Sequence, residues 1–381
     1  MHLKHFFVTA AVLSTVLISH TAGAQEPLKI GAVYALTGPV APYGVAQQKA
    51  LQLRTDALNA KGGLKGRKLQ VFFYDTEGNG NKAVQFTRKA IESDKVDIIL
   101  GPSTSGEALL AAPIANEAKV PLISHSAAQT VVDPARPYVF QTAQYDRIAV
   151  PVALQEFKRL GYTKVALLSS TDGYGQSGTA VLQELAPKYG ISIILEQFDR
   201  QDTDMTAQVL RARQSSADVM LIWSTFPAPA IILRNAKAAG FAKPIYNSFA
   251  MAAPDFLNQA GPNAENTFVM SAALLLPEAL SDSHPSKKAV MEEYQEFLAR
   301  YKEAPTPSAQ HALDAMSIIE DSVKRIDGDV NRQSLRDAIE RTDIFGANGH
   351  FKFSPTDHGV STENAPIVFL LVKGGKFTAA R

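Results

Sequence analysis

The chain has 381 residues with 38 basic and 37 acidic side chains, so its net charge of +1 leaves no basic field to hold nucleic acid. It contains no cysteine, which excludes disulfides, thiolate zinc sites and cysteine nucleophiles. The length suits about two domains, each large enough to bury a core.

The first 24 residues are typical of an export signal. Lys4 supplies a basic start, Phe6 to Ile18 is a mainly apolar run, and Ala22 to Ala24 is a small-residue cleavage pattern. The apolar run is short for a membrane span. The sequence therefore predicts cleavage after Ala24 and release into the periplasm. Because Gln25 is not a cysteine, no lipid anchor is expected.

A strand, a loop and a helix follow between Leu28 and Gly66. The pattern predicts a buried strand over Ile30 to Leu36, a loop that ends at Pro42-Tyr43-Gly44, and a long helix that ends at Gly62-Gly63. In open α/β sheets the ligand lies at the carboxyl ends of the strands, so this loop is a candidate ligand contact.

Apolar strand patterns then alternate with amphipathic helix patterns along the chain. Such alternation predicts parallel sheets covered by helices on both faces. The pattern restarts near Phe140 to Thr142, which predicts a second lobe of similar design. The predicted strands include Leu69–Tyr74, Ile98–Leu100, Leu122–Ile123, Val165–Leu168, Ile191–Leu195 and Val219–Trp223. The predicted helices include Lys82–Ser93, Gly106–Ala118, Ala149–Leu160, Gly178–Lys188 and Met205–Ser215.

Three segments resemble the periplasmic leucine/isoleucine/valine-binding protein family. They are TGPVAPYG at 37–44, NAKGGLKGRKL at 59–69, and FGANGHFKFSPTDHG at 345–359 followed by PIVFLLVKGGKF. The resemblance implies a type I fold: α/β, with two doubly wound parallel-sheet lobes joined by a three-strand hinge. It implies a first lobe of residues 28–144 and 275–346 and a second of 145–274 and 347–381. The chain would cross between lobes near 143–146, 271–276 and 345–350.

Serines at two successive loops are candidates for binding a carboxylate. Ser105 directly precedes a predicted helix, and Ser126, Ala127 and Ala128 follow the next strand. Hydroxyls and free amides at a helix N-terminus suit an anion, although simple helix capping would also place serines there. The resemblance puts Ser105 on the family's carboxylate-binding serine. It puts Ser126 and Ala128 on the family's alanine and threonine, so one ligand hydroxyl is absent at Ala128.

Aromatic residues are candidates for the walls of the site. Tyr43 and Tyr174 match family tyrosines of the first and second lobes, and amphipathic rings commonly line small-molecule pockets. Phe226 or its neighbour Thr225 matches another wall position. Trp223, the only tryptophan, is expected in the core.

The position of Phe249 departs from the family pattern. Amino-acid-binding members have a glutamate there that accepts hydrogen bonds from the ligand's ammonium. This chain has no carboxylate between Ile245 and Pro254, and a buried ammonium without its anion is costly. The ammonium end of the site is therefore predicted to be apolar, unless Asp146 or Asp172 takes that role.

The sequence thus predicts the substrate-binding protein of an ABC importer. A monomer without a cofactor is expected to clamp a small carboxylate with a hydrophobic or aromatic body and deliver it to an inner-membrane permease. A branched-chain amino acid is the alternative ligand, and a ligand-sensing module is the alternative class. Catalysis is not expected, because His125 between Ser124 and Ser126 has no orienting acid identifiable from sequence.

Overall fold

A computed structural model describes residues 26–363 and 365–380. The predicted signal peptide lies outside the described residues. Within these ranges, no helix combines the length and the apolar character needed to cross a membrane. The strands are β1 Leu28–Tyr34, β2 Leu69–Asp75, β3 Ile98–Leu100, β4 Leu122–Ser124, β5 Val139–Gln141, β6 Lys164–Ser170, β7 Ser192–Phe198, β8 Val219–Trp223, β9 Ile245–Asn247, β10 Phe268–Ala272, β11 Asp343–Gly346, β12 Gly349–Lys352, β13 Ile367–Lys373 and β14 Lys376–Ala379. The α-helices are α1 Ala41–Ala60, α2 Gly80–Glu92, α3 Ser105–Glu117, α4 Asp146–Arg159, α5 Gly173–Leu185, α6 Thr206–Gln214, α7 Ala228–Ala238, α8 Pro254–Ala260, α9 Lys287–Tyr301, α10 Pro307–Arg325 and α11 Arg332–Ile339.

The first sheet has five strands in the order β2-β1-β3-β4-β5, and all its pairings are parallel. Its interior strand β1 is buried at almost every residue, as expected when helices cover both faces. This strand begins and ends two residues earlier than predicted. Leu28 is buried, and the N–H of Leu36 has already left the sheet to donate to Oδ1 of Asp75 at 2.8 Å.

The second sheet has seven strands in the order β14-β13-β10-β9-β8-β6-β7. Strands β7, β6, β8, β9 and β10 are parallel and repeat the strand order of the first sheet. The final hairpin adds β13 and β14 as antiparallel strands at the edge. The prediction of two doubly wound parallel-sheet lobes is therefore confirmed, with this antiparallel edge as an addition.

The chain leaves the first sheet after β5 and leaves the second after β10, close to two of the predicted crossings. Beyond the third predicted crossing, Phe351, Phe353 and Val360 pack in the core beneath β1 of the first sheet. Burial of large apolar side chains stabilises their packing, so a segment that carries them belongs to the lobe whose core buries them. We propose that the last crossing lies between Val360 and Ile367 rather than at 345–350, which extends the first lobe beyond residue 346.

Gly44 lets helix α1 approach the end of β1 closely. A Cβ atom at this position would lie 2.1 Å from the carbonyl oxygen of Ala35. Since backbone cannot move away cheaply, Gly44→Ala should lower the free energy of unfolding by about 1–3 kcal/mol, measured by urea denaturation. Gly106→Ala is the matched control, because nothing lies within 4 Å of its added methyl group. Equal stability of the two variants would contradict this prediction.

Candidate functional site

Both sheets direct their strand ends to one cleft. In each sheet the strand order reverses between the first and third strands, and ligands of doubly wound sheets bind beside this reversal. The loops that follow β1 and β3 in the first lobe face the loops that follow β6 and β8 in the second. Between them lies a small, partly open cavity whose wall is formed by residues of both lobes.

Six of the eight predicted site residues line this cavity: Tyr43, Ser105, Ser126, Ala127, Tyr174 and Phe249. The remaining lining residues come from the same loops and from the start of α10: Ser103, Thr104, His125, Thr225, Ala250, Pro307, Ser308 and His311. None of the fourteen is an aspartate, glutamate, lysine or arginine. The cavity is therefore polar at the serines and histidines, with no side chain of fixed charge on its wall.

The structure places the two other predicted residues, Phe226 and Ala128, behind the cavity wall. Phe226 is fully buried in the second-lobe core, and Thr225 faces the cavity instead. Successive side chains of an extended chain point to opposite sides, so a one-residue slip in the alignment exchanges them. Ala128 is fully buried and contributes through its backbone, because its N–H donates to Oγ of Ser105 at 3.1 Å.

Ser105 is the first residue of α3 and is oriented by that bond. Its hydroxyl oxygen accepts a hydrogen bond from the N–H of Ala128. The hydroxyl proton of Ser105 therefore remains free to donate to a ligand. The helix is capped at Thr104, whose N–H and hydroxyl both donate to Oε2 of Glu107. The N–H groups of Ser105 and Gly106 have no acceptor among the described residues, as expected in a first helical turn. Ser105 thus combines a hydroxyl donor with the positive end of a helix dipole.

Ser126 and Ala127 supply the neighbouring donors. The hydroxyl oxygens of Ser126 and Ser124 are 2.8 Å apart, and the N–H of Ser126 donates to Oγ of Ser124 at 3.2 Å. The N–H of Ala127 has no acceptor within the described part of the chain. Two serine hydroxyls and one amide therefore converge from two loops, an arrangement suited to an anion.

Tyr43 joins the two lobes across the cleft. Its hydroxyl, on helix α1 of the first lobe, donates to the carbonyl oxygen of Ala250 at 3.1 Å and accepts from the N–H of Phe226 at 3.4 Å. The rings of Tyr43 and Phe226 have centroids 5.2 Å apart. Burial raises the pKa of this hydroxyl well above its usual value, so it remains a neutral donor. The lobes therefore stand closed on each other, with Tyr43 as one bridge.

Three second-lobe aromatics form one side of the cavity. Tyr174 stacks on Trp223 with centroids 5.9 Å apart, and the Phe249 ring stands edge-on to both, at 5.8 Å from Tyr174 and 6.0 Å from Trp223. Trp223 is fully buried, in agreement with its predicted core position. The packed tryptophan holds the two lining rings in place, which makes this wall rigid and apolar.

Neither acid considered as an ammonium partner lines this cavity, but Asp172 lines an adjoining pocket that shares Ser105 and Tyr174 with it. Asp172 forms an ion pair with Arg200, with Oδ2 to Nε at 3.2 Å. Asp146 is fully buried at the start of α4, where its Oδ2 accepts from the hydroxyl of Ser177 and from the N–H of Gln129 at 3.4 Å. Asp172 and Oδ2 of Asp146 are thus engaged by neighbouring protein groups, whereas Oδ1 of Asp146 is buried without a hydrogen bond within the described residues.

Asp146 should make stability depend on pH. Burial raises its pKa to about 7, against partial opposition from the hydrogen bonds of Ser177 and Gln129. With a pKa higher folded than unfolded, its contribution is complete below about pH 4 and is lost as pH rises through about 7. Asp146→Asn should therefore reduce the fall in unfolding free energy between about pH 4 and 8, by on the order of a few kcal/mol, measured by urea denaturation. The exposed Asp327 supplies the control Asp327→Asn; an unchanged pH slope in Asp146→Asn would contradict the prediction.

Sequence reasoning did not find His311, Ser308 or Pro307. They lie at the start of α10, about two hundred residues beyond the serine loops, and reach the cavity because α10 packs along α1. A single sequence contains no signal for that packing. His125 was considered only as a catalytic base. The structure places it beside His311, with ring centroids 6.5 Å apart, and no acid lines the cavity to orient it.

Two lobes that close on a small cavity at their strand ends have the architecture of a ligand-clamping binding protein. The family model described as periplasmic binding protein matches residues 27–375. The Leu/Ile/Val-binding protein homolog 7 of Brucella suis is 25% identical over 378 residues, covering 94% of this chain and 92% of that protein. The chain belongs to the periplasmic binding protein family.

Solved structures agree with this assignment. An extracellular ligand-binding receptor from Rhodopseudomonas palustris is 26% identical, with a TM-score of 0.84 over 93% of this chain and 99% of the other. The substrate-binding protein of a branched-chain amino acid transporter from Streptococcus pneumoniae, solved with isoleucine, is 25% identical, with a TM-score of 0.81 over 93% and 99%. Substrate-binding proteins of this family act in the periplasm, bind small molecules and deliver them to ABC permeases.

Proposed function

We propose that this protein captures a small carboxylate with a hydrophobic or aromatic body for an ABC importer. The single observation that carries the proposal is the composition of the cavity wall, which has donors for an anion but no side-chain anion for a cation. The ligand would lie between the lobes and pass unchanged to the permease.

The carboxylate would bind in the first lobe. Ser105, Ser126 and Ala127 all line the cavity beside the N-terminus of α3, so their hydroxyls and the N–H of Ala127 are the proposed donors. Hydrogen bonds from neutral donors to an ionised carboxylate are stronger than those to a neutral acceptor. No lysine or arginine is needed there, because the helix dipole and the amides supply positive potential.

The body of the ligand would lie against the second lobe. Tyr174 and Phe249 line this side of the cavity with their rings, and the family resemblance aligns Phe249 with the glutamate that accepts from the ligand's ammonium. Asp172 is paired with Arg200, and Asp146 lies behind the wall. An ammonium enclosed here would lose its water without gaining an anion, which is strongly unfavourable.

Isothermal titration of the mature protein with benzoate, phenylacetate, leucine and isoleucine tests this proposal. We expect binding of at least one aromatic acid and none of the amino acids. A thermal shift of the same protein provides a second readout, since a ligand that binds only the folded state raises the melting temperature. Binding of leucine or isoleucine alone would overturn the proposal.

Branched-chain amino acids remain the second candidate ligands, favoured by the relative solved with isoleucine. A sensory role is the alternative of another class, in which the closed form is recognised by a signalling partner instead of a permease. Uptake of the radiolabelled ligand by cells that carry or lack the protein separates transport from sensing, because only transport makes uptake depend on the protein.

A further inference from the structure

Two histidines in the cavity have polar atoms that the protein leaves without partners. Both ring nitrogens of His125 and Nδ1 of His311 are buried without a hydrogen bond within the described residues. The side chain of His125 is only 2% exposed. Its nearest aromatic neighbour, Tyr34, lies 5.4 Å away between centroids, and the Tyr34 hydroxyl is also unpaired. Buried polar groups are nearly always satisfied, so these nitrogens point to a ligand group.

The protonation state of His125 and His311 restricts the kind of ligand group that can bind them. Burial and the neighbouring histidine hold the pKa of His125 well below its usual value, and burial lowers the pKa of His311 to about 4. Both rings are therefore neutral at neutral pH, and each offers one N–H donor and one nitrogen acceptor. The cavity wall has no other titratable group except the neutral tyrosines Tyr43 and Tyr174.

A hydroxyl matches a mixed set of donors and acceptors. An ionised carboxylate only accepts and an ammonium only donates, so neither can satisfy both kinds of nitrogen. A hydroxyl can accept from one imidazole N–H and donate to the other imidazole's bare nitrogen. Ser105 at the carboxylate end differs in this respect, because its hydroxyl proton is free to bind an anion.

We propose that His125 and His311 form a hydroxyl-binding subsite and that the ligand is a hydroxylated carboxylic acid. This inference rests on the proposed carboxylate site and narrows its substrate class. The two histidines lie on the first-lobe side of the cavity, so the hydroxyl would bind there while the apolar body contacts Phe249 and Tyr174 of the second lobe.

Isothermal titration with matched acids that differ by one hydroxyl tests the subsite. Suitable pairs are benzoate with para-hydroxybenzoate, phenylacetate with para-hydroxyphenylacetate, and phenylacetate with mandelate. For at least one pair the wild type should bind the hydroxylated acid about tenfold more tightly or better, as expected for one satisfied hydrogen bond. Equal affinities within every pair would overturn the subsite while leaving the carboxylate proposal intact.

Variants of the two histidines test whether they cause the preference for the hydroxylated acid. His125→Phe and His311→Phe keep a planar ring but remove its nitrogens, so each should bring the ratio of the two affinities within a pair close to one. His311→Phe provides the test if His125→Phe does not fold. His350→Phe is the control outside the cavity, where the ring stacks on Phe345 with centroids 4.2 Å apart.

Two further outcomes distinguish the possible failures. An equal loss of both acids of a pair in the folded His311→Phe variant would mean that the histidines hold the carboxylate, which overturns the hydroxyl subsite. Failure of the wild type to bind any of these acids, together with binding of isoleucine, would overturn the proposed function and the inference together.

Discussion

Replacement of Phe249 by glutamate should reduce the binding of aromatic acids by about a hundredfold or more. The Phe249 ring lines the cavity and stands edge-on to Tyr174 and Trp223. A glutamate would remove that contact and place a carboxylate in a buried space shared with the ligand's own anion. Isothermal titration with the tightest aromatic acid measures the change.

Phe249→Leu is the matched control, because it preserves an apolar side chain and changes only its shape. It should weaken the same acid by about tenfold or less, in line with the modest cost of apolar exchanges. Both variants should first be compared with the wild type by thermal denaturation. Unchanged affinity in a folded Phe249→Glu protein would remove Phe249 from the site.

Replacement of Ser105 by alanine should weaken carboxylate binding by roughly ten- to a hundredfold, as expected for a hydrogen bond to a charged group worth about 1.5–3 kcal/mol. The variant loses the hydroxyl donor to the ligand. It also leaves the N–H of Ala128 without the acceptor that it now has at 3.1 Å. Titration with the same acid reports the loss.

Ser192→Ala is the control for this substitution, because Ser192 is exposed on β7 and lies outside the cavity. Its affinity should equal that of the wild type. If Ser105→Ala also binds with wild-type affinity, the carboxylate is held elsewhere, and the assignment of the first-lobe loops is wrong.

Much of the fold was predictable because its signals are local. Strand, loop and helix alternate within short windows, and each strand of a parallel sheet is a short apolar run that a glycine-rich or polar loop ends. The closing sequence FGANGHFKFSPTDHG could be recognised from its residues, but the lobe against which it packs could not. Phe351 and Phe353 pack in the first-lobe core. The two lobes have similar cores, and no local sequence pattern indicates which of them buries these side chains.

The candidate site was predictable where its residues follow strand ends. Ser105, Ser126 and Ala127 lie at the ends of β3 and β4, and parallel strands bring such ends to one edge. Thr225 and Phe226 could not be separated, because neighbouring residues of an extended segment face opposite sides. Only the orientation of this segment in the folded lobe decides which of the two side chains faces the ligand.

The sequence by itself determined the α/β class, the two-lobed repeat, the serine loops and the absence of an acid near Phe249, since each depends on residue type and short-range order. Only the tertiary structure decided that His311 stands beside His125, that Tyr43 bonds to Ala250, and that Asp172 is paired with Arg200. These contacts join residues far apart in the chain. They arise from how helices and loops pack once the two sheets have formed.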